Sequence, residues 1–275
     1  MLKHYLIVAG VVSVLICGTA QAETVLVTGS NRGIGFEFVK QYAKRGWTVI
    51  ATARKPEKAD ALKELSAQHL NIKIEKLDVT KDDEIAALVA KYKGQPIDIL
   101  INNAGISGGG TKYQIPHNLK YDILYEVIKV NAIGPLKIAE AFEENVLDSN
   151  RKMVMSVSSN QGSLTETKGA YLHFYRTSKA ALNMLMRVYA EGVRDKGITV
   201  GLLAPGATDT DFMANVPIPK GKPSERVAGM IAVIDSFKLE MSGSFLDWEG
   251  KTVPSTGLVI FAHYAGLRPT SGGEQ

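Results

Sequence analysis

Tyr175 and Lys179 stand four positions apart in Tyr175-Arg176-Thr177-Ser178-Lys179. On a helix that spacing puts both side chains on one face. A phenol with an unperturbed pKa near ~10 exchanges protons poorly at neutral pH. A lysine ammonium beside it favours the phenolate and is expected to lower that pKa. Taken alone, a Tyr-x-x-x-Lys pair is more often structural than catalytic. It gains weight from a second motif far upstream, Thr28-Gly29-Ser30-Asn31-Arg32-Gly33-Ile34-Gly35. Glycines in such a turn let backbone amides approach a pyrophosphate, and the helix N-terminus that follows adds partial positive charge. Its place after a first strand and before an amphipathic helix points to dinucleotide binding. No Gly-Lys-Ser/Thr follows, which excludes a triphosphatase P-loop.

The end of the second strand bears on which dinucleotide. NAD selection uses an acidic residue there, whereas this chain has Ala51-Thr52-Ala53-Arg54-Lys55. Arg32 and Arg54 could bracket a 2′-phosphate, which guanidinium groups bind well. NADP(H) is therefore favoured over NAD(H); the alternative is two solvated surface arginines.

These motifs need elements to position them. Thr24–Thr28, Trp47–Thr52, Ile72–Leu77, Ile97–Ile101, Lys152–Val157 and Ile198–Leu203 read as buried strands. A helix with Ile34, Phe38 and Tyr42 on one face ends at Gly46. Pro56 opens another, with Ala59, Leu62 and Leu65 inward, and Thr80 can cap a third that ends near Gly94. Helical patterns also cover about 121–147 and 174–195. Strands alternating with helices predict an α/β fold of one domain, a doubly wound, Rossmann-type parallel sheet over residues 23–254. Pro217 to Pro223 reads as a loop, and residues 255–275 as a tail.

Residues 1–22 have a basic start at Lys3, an apolar run and Ala20-Gln21-Ala22. That pattern describes a secretory signal peptide. It predicts an exported protein, periplasmic, secreted or in an endoplasmic reticulum lumen, with no stable membrane span once the segment is removed. An uncleaved membrane anchor is the alternative. The chain's one cysteine, Cys17, lies in this segment, so no internal disulfide or cysteine-based zinc site is expected. The net charge is +4, or +3 without Lys3, and no basic tract suggests a nucleic-acid partner. His69, His117, His173 and His263 are scattered, and no metal is expected.

The motifs together resemble the short-chain dehydrogenase/reductase family. In the family's order they are Thr28–Gly35, Asp78-Val79, Asn102-Asn103-Ala104-Gly105, Asn131, Ser158-Ser159, Tyr175 with Lys179, and Pro205-Gly206. The stretch from Tyr175 to Asn183, with Ser244-Phe245-Leu246-Asp247 and Gly250-Lys251, resembles the C-factor/sniffer-type carbonyl reductase branch. The resemblance implies that Tyr175 is the general acid, that Lys179 holds the nicotinamide ribose and tunes Tyr175, and that Ser159 hydrogen-bonds the carbonyl oxygen. It implies a relay water near Asn131. Gly29 to Gly35, Arg54, Asp78, Val79, Asn103, Ala104, Gly105, Tyr175, Lys179, Pro205, Gly206, Thr208 and Thr210 would bind the cofactor. Ser159 lies 16 positions before Tyr175, a wider gap than in many members, so Ser158 and Ser163 stay open as alternatives. The implied activity is carbonyl reduction on a small substrate, in a homo-oligomer. Its alternatives are alcohol oxidation and a nucleotide-binding signalling protein with little turnover.

Overall fold

The computed structural model describes residues 22–214 and 216–255. Residues 1–21 and 256–275, on which the expected signal peptide and tail almost wholly fall, lie outside the described residues. Among the described residues seven strands form one sheet: β1 (Thr24–Val27), β2 (Thr48–Ala53), β3 (Ile72–Lys76), β4 (Ile99–Asn102), β5 (Met153–Val157), β6 (Thr199–Ala204) and β7 (Phe245–Asp247). Their order is β3-β2-β1-β4-β5-β6-β7, and every pairing between them is parallel. The order reverses between β1 and β4. In open parallel sheets the crevice at such a switch point is where ligands bind.

Among the described residues eight α-helices cover the two faces: α1 (Gly33–Lys44), α2 (Asp60–Gln68), α3 (Asp82–Lys91), α4 (Tyr121–Ile128), α5 (Gly134–Ala141), α6 (Glu143–Leu147), α7 (His173–Val193) and α8 (Pro223–Ser236). Successive strand residues point to opposite faces. Val25 and Val27 therefore join Phe38 and Tyr42 of α1 and Met230 and Ile234 of α8 in one core. Leu26, between them, joins Leu88 of α3, Ile138 of α5 and Leu182 and Met186 of α7 in the other. Both faces are apolar, so β1 reads as a continuous hydrophobic run rather than an alternating one.

Several expectations change. Pro56 opens a single 3₁₀ turn, Pro56–Lys58, and α2 starts at Asp60. Thr80 caps no helix: its hydroxyl donates to Asp78 Oδ1 at 2.7 Å, and Lys81 takes the cap position. The long helical stretch is divided. A wide π turn, Lys129–Ile133, separates α4 from α5, and Phe142 ends α5 before α6. Pro223 is the first residue of α8 rather than part of a loop. Its fixed φ and missing N–H suit that position.

Candidate active site

The nucleotide turn follows β1 and leads into α1. Gly29 has φ +67, and a Cβ there would lie 2.8 Å from Ala104 Cα. A Cβ at Gly35 would lie 2.4 Å from both the Gly29 carbonyl oxygen and Asn103 Nδ2. Only glycine allows the turn after β1 to close this tightly on the loop after β4. Asn103 holds the contact. Its Nδ2 donates to the carbonyls of Thr28 (2.9 Å) and Gly29 (3.0 Å). Thr28 Oγ1 accepts from the amides of Asn103 (3.0 Å) and Ala104 (3.1 Å). Gly33, with φ +59, faces Thr210 of the loop after β6, where a Cβ would sit 3.5 Å from the Thr210 methyl. The structure thus brings Gly29, Gly33, Gly35, Asn103, Ala104 and Thr210 together.

Other expected cofactor residues differ in what they leave exposed. Both polar groups of Ser30 are committed inside the fold: the amide donates to Thr52 O at 2.8 Å and the hydroxyl to Val27 O at 2.7 Å. Ile34 packs against the α1 core, and Val79 and Pro205 are buried. Asn31, Arg32, Arg54 and Gly206 are exposed. Arg32 pairs with Asp211 at 3.6 Å. Burial opposes the Asp78 carboxylate, but the hydroxyl and amide of Thr80 and the Arg54 charge outweigh it and hold Asp78 below its usual range. Thr208 Oγ1 donates to the carbonyl of Gly206 at 3.2 Å, bracing the loop after β6. A nicotinamide dinucleotide fits this site: the glycine turn leaves its pyrophosphate room at the α1 N-terminus, and Arg54-Lys55 directly follow β2.

The residues expected to be catalytic gather around α7. Tyr175, Ser178 and Lys179 are buried. Burial pushes the Tyr175 phenol up to about 12, and a hydrogen bond with Ser159 opposes the rise. Burial also lowers Lys179, to about 8. Its Nζ donates to the Val157 carbonyl at 2.9 Å. The expected lowering of the phenol by the lysine is therefore not what this chain does by itself: desolvation dominates both groups. Among the serines, Ser159 is the one bonded to Tyr175. Ser158 donates to Asn183 Oδ1 at 2.6 Å, and Ser163 donates to the Pro254 carbonyl, so both serve the fold.

Asn131 sits fully buried in the π turn. Its side chain accepts from Ile106 N at 2.8 Å and donates to Ile106 O at 2.9 Å and Ser178 Oγ at 3.0 Å. A Cβ at Gly105 would lie 3.3 Å from Asn131 Oδ1 and 3.9 Å from Lys179 Nζ. Gly105, Asn131 and Lys179 therefore meet; the resemblance implied the approach of Asn131 to Lys179 but not that of Gly105. In a regular helix the Asn131 carbonyl would accept from residue 135, but Pro135 has no N–H to give.

Sequence reasoning missed two neighbours of Tyr175. The Phe212 ring lies 5.6 Å from the Tyr175 ring, tilted by 55°. Gln114 Oε1 accepts from the Tyr175 amide at 2.8 Å. Neither belongs to a motif. A buried glutamine among exposed loop residues was the one available signal, and only a structure displays it.

A parallel sheet with a glycine turn at its switch point, and a buried Tyr–Lys pair one helix away, defines a dinucleotide-binding oxidoreductase framework. Residues 23–220 match the family described as short chain dehydrogenase, and the chain belongs to that family. The C-signal protein of Myxococcus xanthus is 36% identical over 162 residues, covering 58% of this chain and 93% of that protein. An NADPH-bound carbonyl reductase from chicken fatty liver is 33% identical, with TM-score 0.79, over 85% of this chain and 99% of that one. The carbonyl reductase Sniffer of D. melanogaster is 25% identical, with TM-score 0.78, at the same coverages.

Proposed function

We propose that this chain is an NADP(H)-dependent reductase of small carbonyl compounds, with Tyr175 as the general acid. The observation that carries the reading is the buried Tyr175 phenol, held by Ser159 and raised to about 12. A phenol that keeps its proton at neutral pH is a proton donor, which is what reduction of a carbonyl requires. In alcohol oxidation, the reverse reaction, the same group would act as the base, and the supply of reduced or oxidised coenzyme would set the direction.

When bound, the cofactor supplies hydride; the remaining work falls to the chain. The glycine turn at Gly29–Gly35 presents backbone to the pyrophosphate, and the α1 N-terminus adds partial positive charge. Arg32 and Arg54 would take the 2′-phosphate, which requires Arg32 to leave Asp211. The Ser159 and Tyr175 hydroxyls donate to the carbonyl oxygen, and the Tyr175 proton moves to it as negative charge develops there. Lys179, protonated below about 8, stabilises the phenolate left behind. The Asn131 carbonyl, facing a proline in place of its helical donor, would hold a water that returns the proton through Lys179.

Two alternatives to these roles keep distinct signatures. A signalling protein with little turnover, the reading that the likeness to C-signal favours, would bind NADPH without consuming it. A chain indifferent to the 2′-phosphate would use NADH equally well. The test is steady-state reduction of an aldehyde and dicarbonyl panel with either coenzyme, using the parent, Arg32→Ala and Arg54→Ala. The proposal expects NADPH turnover and, in each arginine variant, a weaker KM for NADPH with the NADH constants unmoved. Binding without turnover, or equal use of both coenzymes, would contradict it.

A further inference from the structure

Gln114 lies in a loop between half-buried Tyr113 and exposed Ile115, yet its own side chain is fully buried. A buried amide must satisfy two N–H donors and an acceptor, or the site loses stability. Gln114 does so at both ends. Nε2 donates to three carbonyls, of Ser107 (2.7 Å), Gly108 (3.0 Å) and Gly110 (2.9 Å), its two hydrogens shared among them. Oε1 accepts from the Tyr175 amide at 2.8 Å. The Gln114 backbone carbonyl also accepts from the His173 amide at 3.3 Å and from His173 Nδ1 at 2.9 Å.

The two ends meet different needs. Helix α7 begins with unpaired amides, as every helix does. Its cap residue, Leu172, is left-handed (φ 56) and offers no side-chain cap. Gln114 supplies from another part of the chain what Leu172 cannot. At the other end, Gly108, Gly109 and Gly110 all have positive φ, between 63 and 79. That conformation turns their carbonyls together, but three consecutive glycines have little stiffness of their own. The loop is also pressed onto α4: a Cβ at Gly108 would come within 2.6 Å of Val127 Cγ2 and 2.7 Å of Ile123 Cγ2. This loop continues directly from Asn103-Ala104-Gly105, beside Lys179.

We infer that Gln114 is a positioning residue: one buried amide ties the glycine loop 107–110 to the first turn of the helix bearing Tyr175. The loop's stand-off from the phenol, and with it the affinity for the carbonyl substrate, is set by that tie. The inference rests on the reductase reading for its kinetic consequence, but the tie itself is a property of the chain alone.

Two substitutions separate its ends. Gln114→Glu keeps an acceptor for the Tyr175 amide and presents oxygens, not donors, to the three carbonyls. Gln114→Met has nearly the same length and loses both ends. Hydrogen–deuterium exchange of the protein without substrate or coenzyme reads the tie directly. In Gln114→Glu the 105–113 peptide should exchange faster while the 173–178 peptide stays protected; in Gln114→Met both should exchange faster. In carbonyl reduction, Gln114→Glu should raise KM about tenfold, the scale of one or two lost hydrogen bonds, with kcat within about threefold of the parent. Gln114→Met should raise KM and lower kcat together.

Parent-like exchange of 105–113 in Gln114→Glu overturns the inference. So does a parallel fall of kcat and melting temperature at unchanged KM, the pattern of a merely structural residue. If Gln114→Glu does not fold, the 105–113 and 173–178 peptides of Gln114→Met decide alone, and protection of either overturns the inference. If the parent reduces no carbonyl while the exchange pattern holds, the reductase reading fails and the tie stands.

Discussion

At the scale of the residue, burial governs the chemistry. Tyr175 and Lys179 are both shifted toward their neutral forms. The Lys179 shift has a consequence for stability with a definite sign. Its pKa is about 8 in the fold against a usual value of 10.5. Below pH 8 the buried ammonium costs the fold up to about 3 kcal/mol, at 1.36 kcal/mol per pKa unit. Between pH 8 and 10.5 the fold sheds that proton while the unfolded chain keeps it, so the cost fades. Lys179→Met should therefore be the more stable chain in urea denaturation at pH 7, and the parent should close the gap by pH 10.5. A gap that is constant with pH would show that Lys179 is not desolvated as described. The Ser159 contact gives a second prediction. Ser159→Ala should lower kcat by about 10²-fold, the usual scale for one lost donor to a developing oxyanion, with NADPH affinity unchanged. Ser163→Ala should mainly loosen the contact with Pro254. Reversal of those two effects on turnover would reassign the serine.

At the scale of the element, the site depends on where strands end. The turn after β1 and the loop after β4 interlock through Gly29, Gly35 and Asn103. Gly35→Ala would push a methyl to 2.4 Å from the Gly29 carbonyl oxygen, so backbone must move. Calorimetric titration should show NADPH affinity falling by at least tenfold while circular dichroism keeps the helical signal. Parent-like affinity would mean that the turn is not the pyrophosphate cradle. The glycine turn was legible in advance, because glycine spacing and strand–helix order both point to it; its interlock with the loop after β4 was not, because Asn103 lies 75 positions from Thr28. The π turn was not. It continues helical periodicity through Asn131, and only three-dimensional packing widens it. β7 was missed for a related reason: three residues at a sheet edge, Phe245–Asp247, are too few to show a period. The cap on α7 was invisible because it comes from Gln114, 61 positions away in sequence.

At the scale of the whole molecule, the alternation of strand and helix sufficed for the doubly wound sheet, since few other arrangements bury both faces of such strands. Six of the seven strands were readable from apolar runs, while their order in the sheet comes from the pairings in the structure. What the sequence misjudged is electrostatic. Spacing places an amine near a phenol, but the sign of the shift depends on desolvation, which is a property of the packed interior. Among the described residues no helix is long and apolar enough to cross a membrane. On the proposed reading, one phenol gives up its proton to a carbonyl beside a bound dinucleotide. Single-turnover reduction by Tyr175→Phe, pre-loaded with NADPH, tests it most directly. The rate should fall by at least ~10³-fold, with NADPH binding within about twofold of the parent, since ring packing against Phe212 is kept. Reduction at the parent rate would contradict the account.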